Sequence, residues 1–215
     1  MSDLLLQLED CLIEGRGAVI REMVTGALDE GLTAVEVLEK ALMPGMDEVG
    51  RRMGEGEYFI PDVLIAARTM AMALEVLRPL LAEGGTVQPG TVVRGTVKGD
   101  LHDIGKNLVG MMLQGANFTV VDLGTDISAE QFVAAAREHD ANLVGMSALL
   151  TTTMVEMKGI VEALLETGVR DQVKVMVGGA PVTQLYADEV GADGYAPDAG
   201  SAVVVARRLL AARDQ

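Results

Sequence analysis

The sequence predicts a two-domain chain: an N-terminal bundle of four helices, then an α/β domain built on a five-stranded parallel sheet. Three observations carry the prediction. Apolar residues in the first 82 positions recur at helical spacing only. From residue 91 onward short β-rich runs alternate with helical segments, the pattern of a parallel sheet with helices on its faces. Between the two lies Glu83-Gly84-Gly85-Thr86-Val87-Gln88-Pro89-Gly90, a linker by composition. The expected domains are therefore 1–82 and 91–215, joined by 83–90.

The first helix follows from Leu4, Leu5, Leu8, Leu12 and Ile13. A second runs from about Ala18 to Asp29 and stops at Gly31, a residue suited to the turn after a helix. Thr33, with Glu36 three residues on, opens a third with a capping box, and Val35, Leu38, Leu42 and Met46 form its apolar stripe. Pro61, at a first-turn position, begins a fourth, which Val63, Leu64, Ala67, Met70, Leu74, Leu77 and Leu81 continue. Short connections between four such helices predict a bundle.

In the second half strands are expected at about 91–97, 117–122, 142–147, 173–177 and 193–195. Helices should fill 105–115, 129–138, 153–167, 182–189 and 199–213. Val173-Lys174-Val175-Met176-Val177 is nearly all apolar, as a strand covered on both faces must be.

Bulk composition narrows the function. The net charge of −15 disfavours non-specific nucleic-acid binding and an anionic membrane surface, both of which need clustered Lys and Arg. The single cysteine, Cys11, excludes an intramolecular disulfide and any multi-cysteine metal site. The start Met1-Ser2-Asp3-Leu4 has no basic leader segment, and no apolar run reaches about 18 residues, so a cytoplasmic protein is expected. Thirteen Met, with no Trp, serve either as core filler or as an adaptable surface.

The chemistry collects at the carboxyl ends of the strands, where open sheets of this kind bind ligands. After the first strand comes Asp100-Leu101-His102-Asp103-Ile104-Gly105-Lys106, holding one of only two histidines. His102 is either a metal ligand, with Asp100 accepting its other N–H, or a histidine that caps the next helix or faces water. His139, between Glu138 and Asp140 at a helix end, reads as structural. Gly105-Lys106 is not a phosphate loop: five residues separate Gly99 from Gly105, and Asn107 stands where a hydroxyl is required. After the third strand, Ser147 and Thr151 to Thr153 gather four hydroxyls, for a polar slot or for helix capping. After the fourth, Gly178-Gly179 either forms a turn or leaves room for a flat group.

Taken together, Asp100-x-His102-x-x-Gly105, Ser147-x-Leu149 and Gly178-Gly179, at three strand ends in this order, resemble the signature of the cobalamin-binding fold. The helical half resembles the cap module ahead of the cobalamin domain in methionine synthase. The whole is similar to the free-standing corrinoid proteins of methylamine, methanol, glycine-betaine and aryl-ether methyltransferase systems. Gly99 to Asn107 and Val177 to Pro181 are especially close to that group.

The resemblance implies a flavodoxin/Rossmann-like cobalamin-binding domain holding cobalamin (methylcobalamin or another corrinoid) base-off. His102 would ligate the cobalt, Asp100 would accept the other imidazole N–H, and Thr153 would complete the relay where methionine synthase has a serine. Ser147, Leu149 and Thr151 would line the slot for the nucleotide tail, and Gly178 and Gly179 would let it pass. The backbone of Asp103, Ile104 and Gly105 would hold the corrin rim, and Tyr195 would close the far end of the slot. The helical cap would cover the upper face of cobalt through a methionine, with Met70 first among Met43, Met46, Met53 and Met72, and the linker would be its hinge. The implied function is a methyl carrier working through methyl-cobalt, with no complete substrate site of its own. Its partners would be a substrate-specific methyltransferase, a second methyltransferase serving tetrahydrofolate or a thiol, and a reductive activator.

Three other readings fit less well. The cobalamin subunit of a mutase lacks this helical cap, and a cobalamin-dependent sensor would add a DNA-binding module. A phospho-receiver domain needs an aspartate where this chain has Ser147.

Overall fold

The computed structural model describes residues 3–83 and 89–211, which divide into a helical unit and an α/β unit. The linker expected at 83–90 falls largely on residues outside the described ones, and α5 below carries the helix through Glu83.

In the helical unit, α1 (Asp3–Ile13) and α2 (Gly17–Asp29) precede a longer helical run. That run comprises α3 (Ala34–Val37), a π-turn (Leu38–Leu42) and α4 (Met43–Gly54), and α5 (Ile60–Glu83) closes the unit. Thr33 and Glu36 form the expected capping box, each side chain accepting from the other's backbone N–H. The π-turn sits just before Pro44, whose ring has no N–H for the carbonyl of Lys40; widening the helix there relieves the mismatch. Leu8, Leu12, Ile20, Val24, Leu42, Val49, Val63 and Leu77 are buried where the helices pack on one another. Met46 and Met70 are buried too, whereas Met43, Met53 and Met72 are half-buried. None of the described helices is long and apolar enough to cross a membrane.

The α/β unit has five strands: β1 (Thr91–Thr96), β2 (Thr119–Asp122), β3 (Leu143–Ser147), β4 (Lys174–Gly178) and β5 (Gly194–Ala196). All pair in parallel in the order β2-β1-β3-β4-β5. Its helices are α6 (Ile104–Gly115), α7 (Ala129–Glu138), α8 (Glu156–Glu166), α9 (Gln184–Val190) and α10 (Ala199–Ala211). Val93, Val144, Met146, Val175 and Val177 face α7, α8 and α9 in one apolar core around Phe132 and Leu164. α10 packs on β4 and β5. The order reverses direction between β1 and β3, so the crevice for a ligand opens between the loops that follow those two strands.

Two sequence expectations change. The helix expected from 153 begins at Glu156, and no side chain caps it; the threonines before it lie in an irregular turn. Strand β1, read from sequence only as a β-rich run, carries a buried charge: Arg94 reaches the Lys106 carbonyl and pairs with Asp122 at 3.0 Å. Lys106 Nζ bonds the same carboxylate at 2.7 and 2.9 Å. The lysine of Gly105-Lys106 is thus committed to an ion pair. Gly110 makes room for it, because a Cβ there would fall on the Arg94 guanidinium.

Burial pushes the Asp122 carboxyl up, but the Lys106 hydrogen bonds, the Gly124 N–H and the Arg94 charge together hold it below its ordinary value. A carboxyl depressed by folding stabilises above its unfolded pKa of about 4 and loses that contribution as the pH falls through its folded value. Asp122→Asn leaves two buried cations short of a counter-charge. It should destabilise the protein toward the lower end of about 3–5 kcal/mol, because Asp122 is partly solvated. Urea denaturation should show this loss at neutral pH and a narrowing gap between variant and wild type below about pH 4.

Candidate functional site

The loop from β1 to α6 is folded by hydrogen bonds to one carboxylate. Asp100 is 0% exposed and accepts four. Its Oδ1 takes the His102 backbone N–H at 3.0 Å and lies 2.7 Å from His102 Nδ1. Its Oδ2 takes the Leu149 N–H at 2.8 Å and the Thr153 hydroxyl at 2.7 Å. Burial alone would raise this carboxyl, but the Leu149, Thr153 and His102 hydrogen bonds outweigh it and hold Asp100 well below the usual carboxylate range. An ionised carboxylate only accepts, so His102 Nδ1 carries a proton, and the neutral form of this tautomer has its lone pair on Nε2.

The His102 ring is about half exposed, at 52%, between Leu101 and Ile104, which are 73% and 69% exposed. A Cβ added at Gly105 meets nothing within 4 Å, so the backbone at the start of α6 borders open space. The exposed neighbours of His102 are thus apolar at Leu101 and Ile104 and acidic at Asp103. No group of three His, Cys, Asp or Glu side chains able to hold a metal occurs among the described residues. A metal at Nε2 would meet one protein ligand and must bring the rest of its coordination with it.

The residues named from sequence separate into two sets. Asp100, His102, Leu149 and Thr153 are joined through the carboxylate. Ser147 lies next to them, at the end of β3, with its Oγ 3.0 Å from Thr96 Oγ1. Thr151 and Thr152 are exposed and no hydrogen bond joins either to Asp100, whereas the Thr153 hydroxyl is buried on that carboxylate. The Asp103 side chain takes the Asn107 side-chain amide at 3.0 Å, and its carbonyl accepts the Asn107 backbone N–H at 2.7 Å. Tyr195, on β5 opposite Val177, is half-buried against the apolar core.

Gly178 and Gly179 have a packing reason beyond open space. A Cβ on Gly178 would stand 2.9 Å from the Ala196 carbonyl. On Gly179, which has φ +129°, it would collide with the carbonyl of Ala148. The paired glycines bring the ends of β3, β4 and β5 into close approach.

Sequence reasoning missed two supports of the loop. Asp126 donates its N–H to the Asp100 carbonyl and accepts the Gly99 N–H at 2.7 Å, with its own φ at +59°. Thr96, at 0% exposure, donates its hydroxyl to the His102 carbonyl at 2.8 Å. Asp126, two residues after a glycine in Gly124-Thr125-Asp126, carried a turn signal; a threonine inside a β-rich run carried none.

Comparison with known proteins places this arrangement. Residues 90–204 match a family model described as a B12 binding domain, and residues 4–78 match a second with the same description. A corrinoid protein of Desulfitobacterium hafniense (strain Y51) is 45% identical over 210 residues, 96% of this chain and 97% of that protein. A dimethylamine corrinoid protein of Methanosarcina barkeri is also 45% identical over 210 residues, 97% of this chain and 98% of its own length. The methanol:cobalamin methyltransferase complex MtaBC of Methanosarcina barkeri contains a chain that superposes with a TM-score of 0.82 at 31% identity, covering 98% of this chain and 80% of that one.

Gly179→Ala tests the packing at the strand ends. Backbone strain and the clash with Ala148 should together cost about 2–4 kcal/mol, read as a lowered urea midpoint with the slope unchanged.

Proposed function

Because this chain belongs to the B12-binding corrinoid proteins, we propose that it is a methyl carrier. In this reading it holds cobalamin base-off through His102. It passes a methyl group between a substrate-specific methyltransferase and a second methyltransferase that serves tetrahydrofolate or a thiol. The observation that carries the reading is the placement of His102: Nδ1 lies against a buried carboxylate, on a half-exposed ring flanked in sequence by the exposed Leu101 and Ile104.

The residues present fit a corrin. A single imidazole suits a metal whose equatorial positions are already filled, and a flat macrocycle suits the exposed Leu101 and Ile104 and the open space at Gly105. The bound corrinoid would supply the cobalt that takes up and gives away the methyl group. What the chain supplies is ligation and orientation. Asp100 keeps the proton on Nδ1, so Nε2 remains a donor of electrons, and Thr153 keeps Asp100 from turning away. Ser147 and Leu149 stand at the mouth of the crevice between β1 and β3, where the nucleotide tail would enter. Asp103, Ile104 and Gly105 offer backbone along the rim. The buried Met70 and the half-buried methionines of the helical unit remain candidates for covering the upper face of cobalt.

Partner proteins follow from the same reading. A relative that superposes on this chain is part of a methanol:cobalamin methyltransferase complex, and others are corrinoid proteins of dimethylamine and trimethylamine systems. This chain would meet an analogous methyltransferase, with a reductive activator restoring cobalt that has been oxidised.

His102→Ala should still take up cobalamin through the tail slot but lose the absorption bands of histidine-ligated cobalt. An unchanged spectrum in that variant would remove His102 as the ligand.

A further inference from the structure

Thr96 is fully buried at the end of β1, in register with Ser147 on β3, and its side chain lies in a chain of hydrogen bonds. Its hydroxyl donates to the His102 carbonyl at 2.8 Å and lies 3.0 Å from Ser147 Oγ. A threonine hydroxyl has one hydrogen. With that hydrogen on the His102 carbonyl, Thr96 Oγ1 is an acceptor toward Ser147, and Ser147 must spend its own hydrogen on Thr96. Ser147 then has only lone pairs to offer the crevice.

We infer that Thr96 is a positioning residue that couples the tail slot to the His102 loop by competition for a single hydroxyl proton. The inference rests on the carrier reading above. A benzimidazole tail detached from cobalt presents a ring nitrogen with a free lone pair, a hydrogen-bond acceptor. To bond it, Ser147 must withdraw its hydrogen from Thr96. Two hydroxyl oxygens 3.0 Å apart with no hydrogen between them repel, so Thr96 turns its hydrogen to Ser147 and lets go of the His102 carbonyl. Seating an acceptor tail therefore removes one hydrogen bond from the loop that carries His102. The loop keeps its other ties, through Asp100 and Asp126, so the effect is a loosening of the ligand's backbone rather than its collapse.

The coupling has a sign that a purely structural role does not share. In wild type the tail gains a hydrogen bond from Ser147 at the cost of the one to His102. In Thr96→Val the His102 bond is already gone and the Ser147 hydrogen is uncommitted, so the tail gains its bond without that cost. The test compares dissociation constants for cobalamin and for cobinamide, which lacks the nucleotide tail. The ratio of the cobinamide constant to the cobalamin constant should rise roughly 2- to 10-fold in Thr96→Val, the worth of one net hydrogen bond. Thr96→Ser restores the hydroxyl and should restore the wild-type ratio. In a Ser147→Ala background, Thr96→Val should leave the ratio unchanged, because no donor remains to be contested. Should valine at this buried position prevent folding, Thr96→Ala carries the same expectation.

A ratio that stays level or falls in Thr96→Val or Thr96→Ala overturns the coupling, while cobalamin binding by wild type leaves the carrier reading intact. Failure of wild type to bind cobalamin sinks both.

Discussion

One buried charge organises this molecule's chemistry. The Asp100 carboxylate is withdrawn from water, a transfer that is very costly unless the charge is fully hydrogen-bonded. It is tolerated because both oxygens are saturated: two donors come from His102, one from the backbone of Leu149 and one from Thr153. These donors belong to two loops far apart in sequence, so neither loop can shift without leaving part of the charge unpaired. The penalty that makes the carboxylate hard to bury also makes the position of the imidazole hard to change.

The sheet topology is what allows that convergence. β1 and β3 are hydrogen-bonded neighbours although β2 lies between them in sequence, and Thr96 pairs with Ser147 at their ends. The two loops leave the sheet side by side and turn to opposite faces, which opens the crevice they share. Gly178 and Gly179 extend the arrangement by letting β4 and its loop approach the ends of β3 and β5 without a side chain between. On the other side, the Arg94, Lys106 and Asp122 cluster ties the first turn of α6 to β1 and β2, so the backbone just after His102 is held from below.

How much of this was legible in the sequence depends on whether a residue's role is local. The helices announced themselves through periodicity and through Thr33 with Glu36, because capping and amphipathicity act within one turn or one face. The carboxyl end of the sheet was legible as a constellation, since Asp100, His102, Ser147 and the paired glycines each stand at a strand end and the order of strands brings them together. Thr96 and Arg94 were not. Inside a β-rich run a threonine reads as a strand former and an arginine as an edge residue, and only the partners across the sheet give them roles. The threonines at 151 to 153 admitted two readings, a polar slot or a helix cap. Their spacing suits a helix cap, yet the hydroxyl of Thr153 has a stronger acceptor in the Asp100 carboxylate, and the helix starts three residues later without one.

The same accounting of donors explains why two threonines near His102 serve opposite ends. Thr153 faces an ionised carboxylate, the strongest acceptor in the vicinity, and its hydrogen has little reason to leave. Thr96 faces a neutral carbonyl on one side and another hydroxyl on the other, and the two arrangements differ only by which neutral acceptor takes the hydrogen. Thr153 therefore fixes the side chain of His102 through Asp100, while Thr96 holds its backbone by a bond that can be exchanged. In the proposed carrier, an imidazole that meets a metal and later leaves it would benefit from this division. The Nδ1 side of the ring is held on Asp100, and the peptide that carries the ring would retain a freedom that the occupant of the crevice sets.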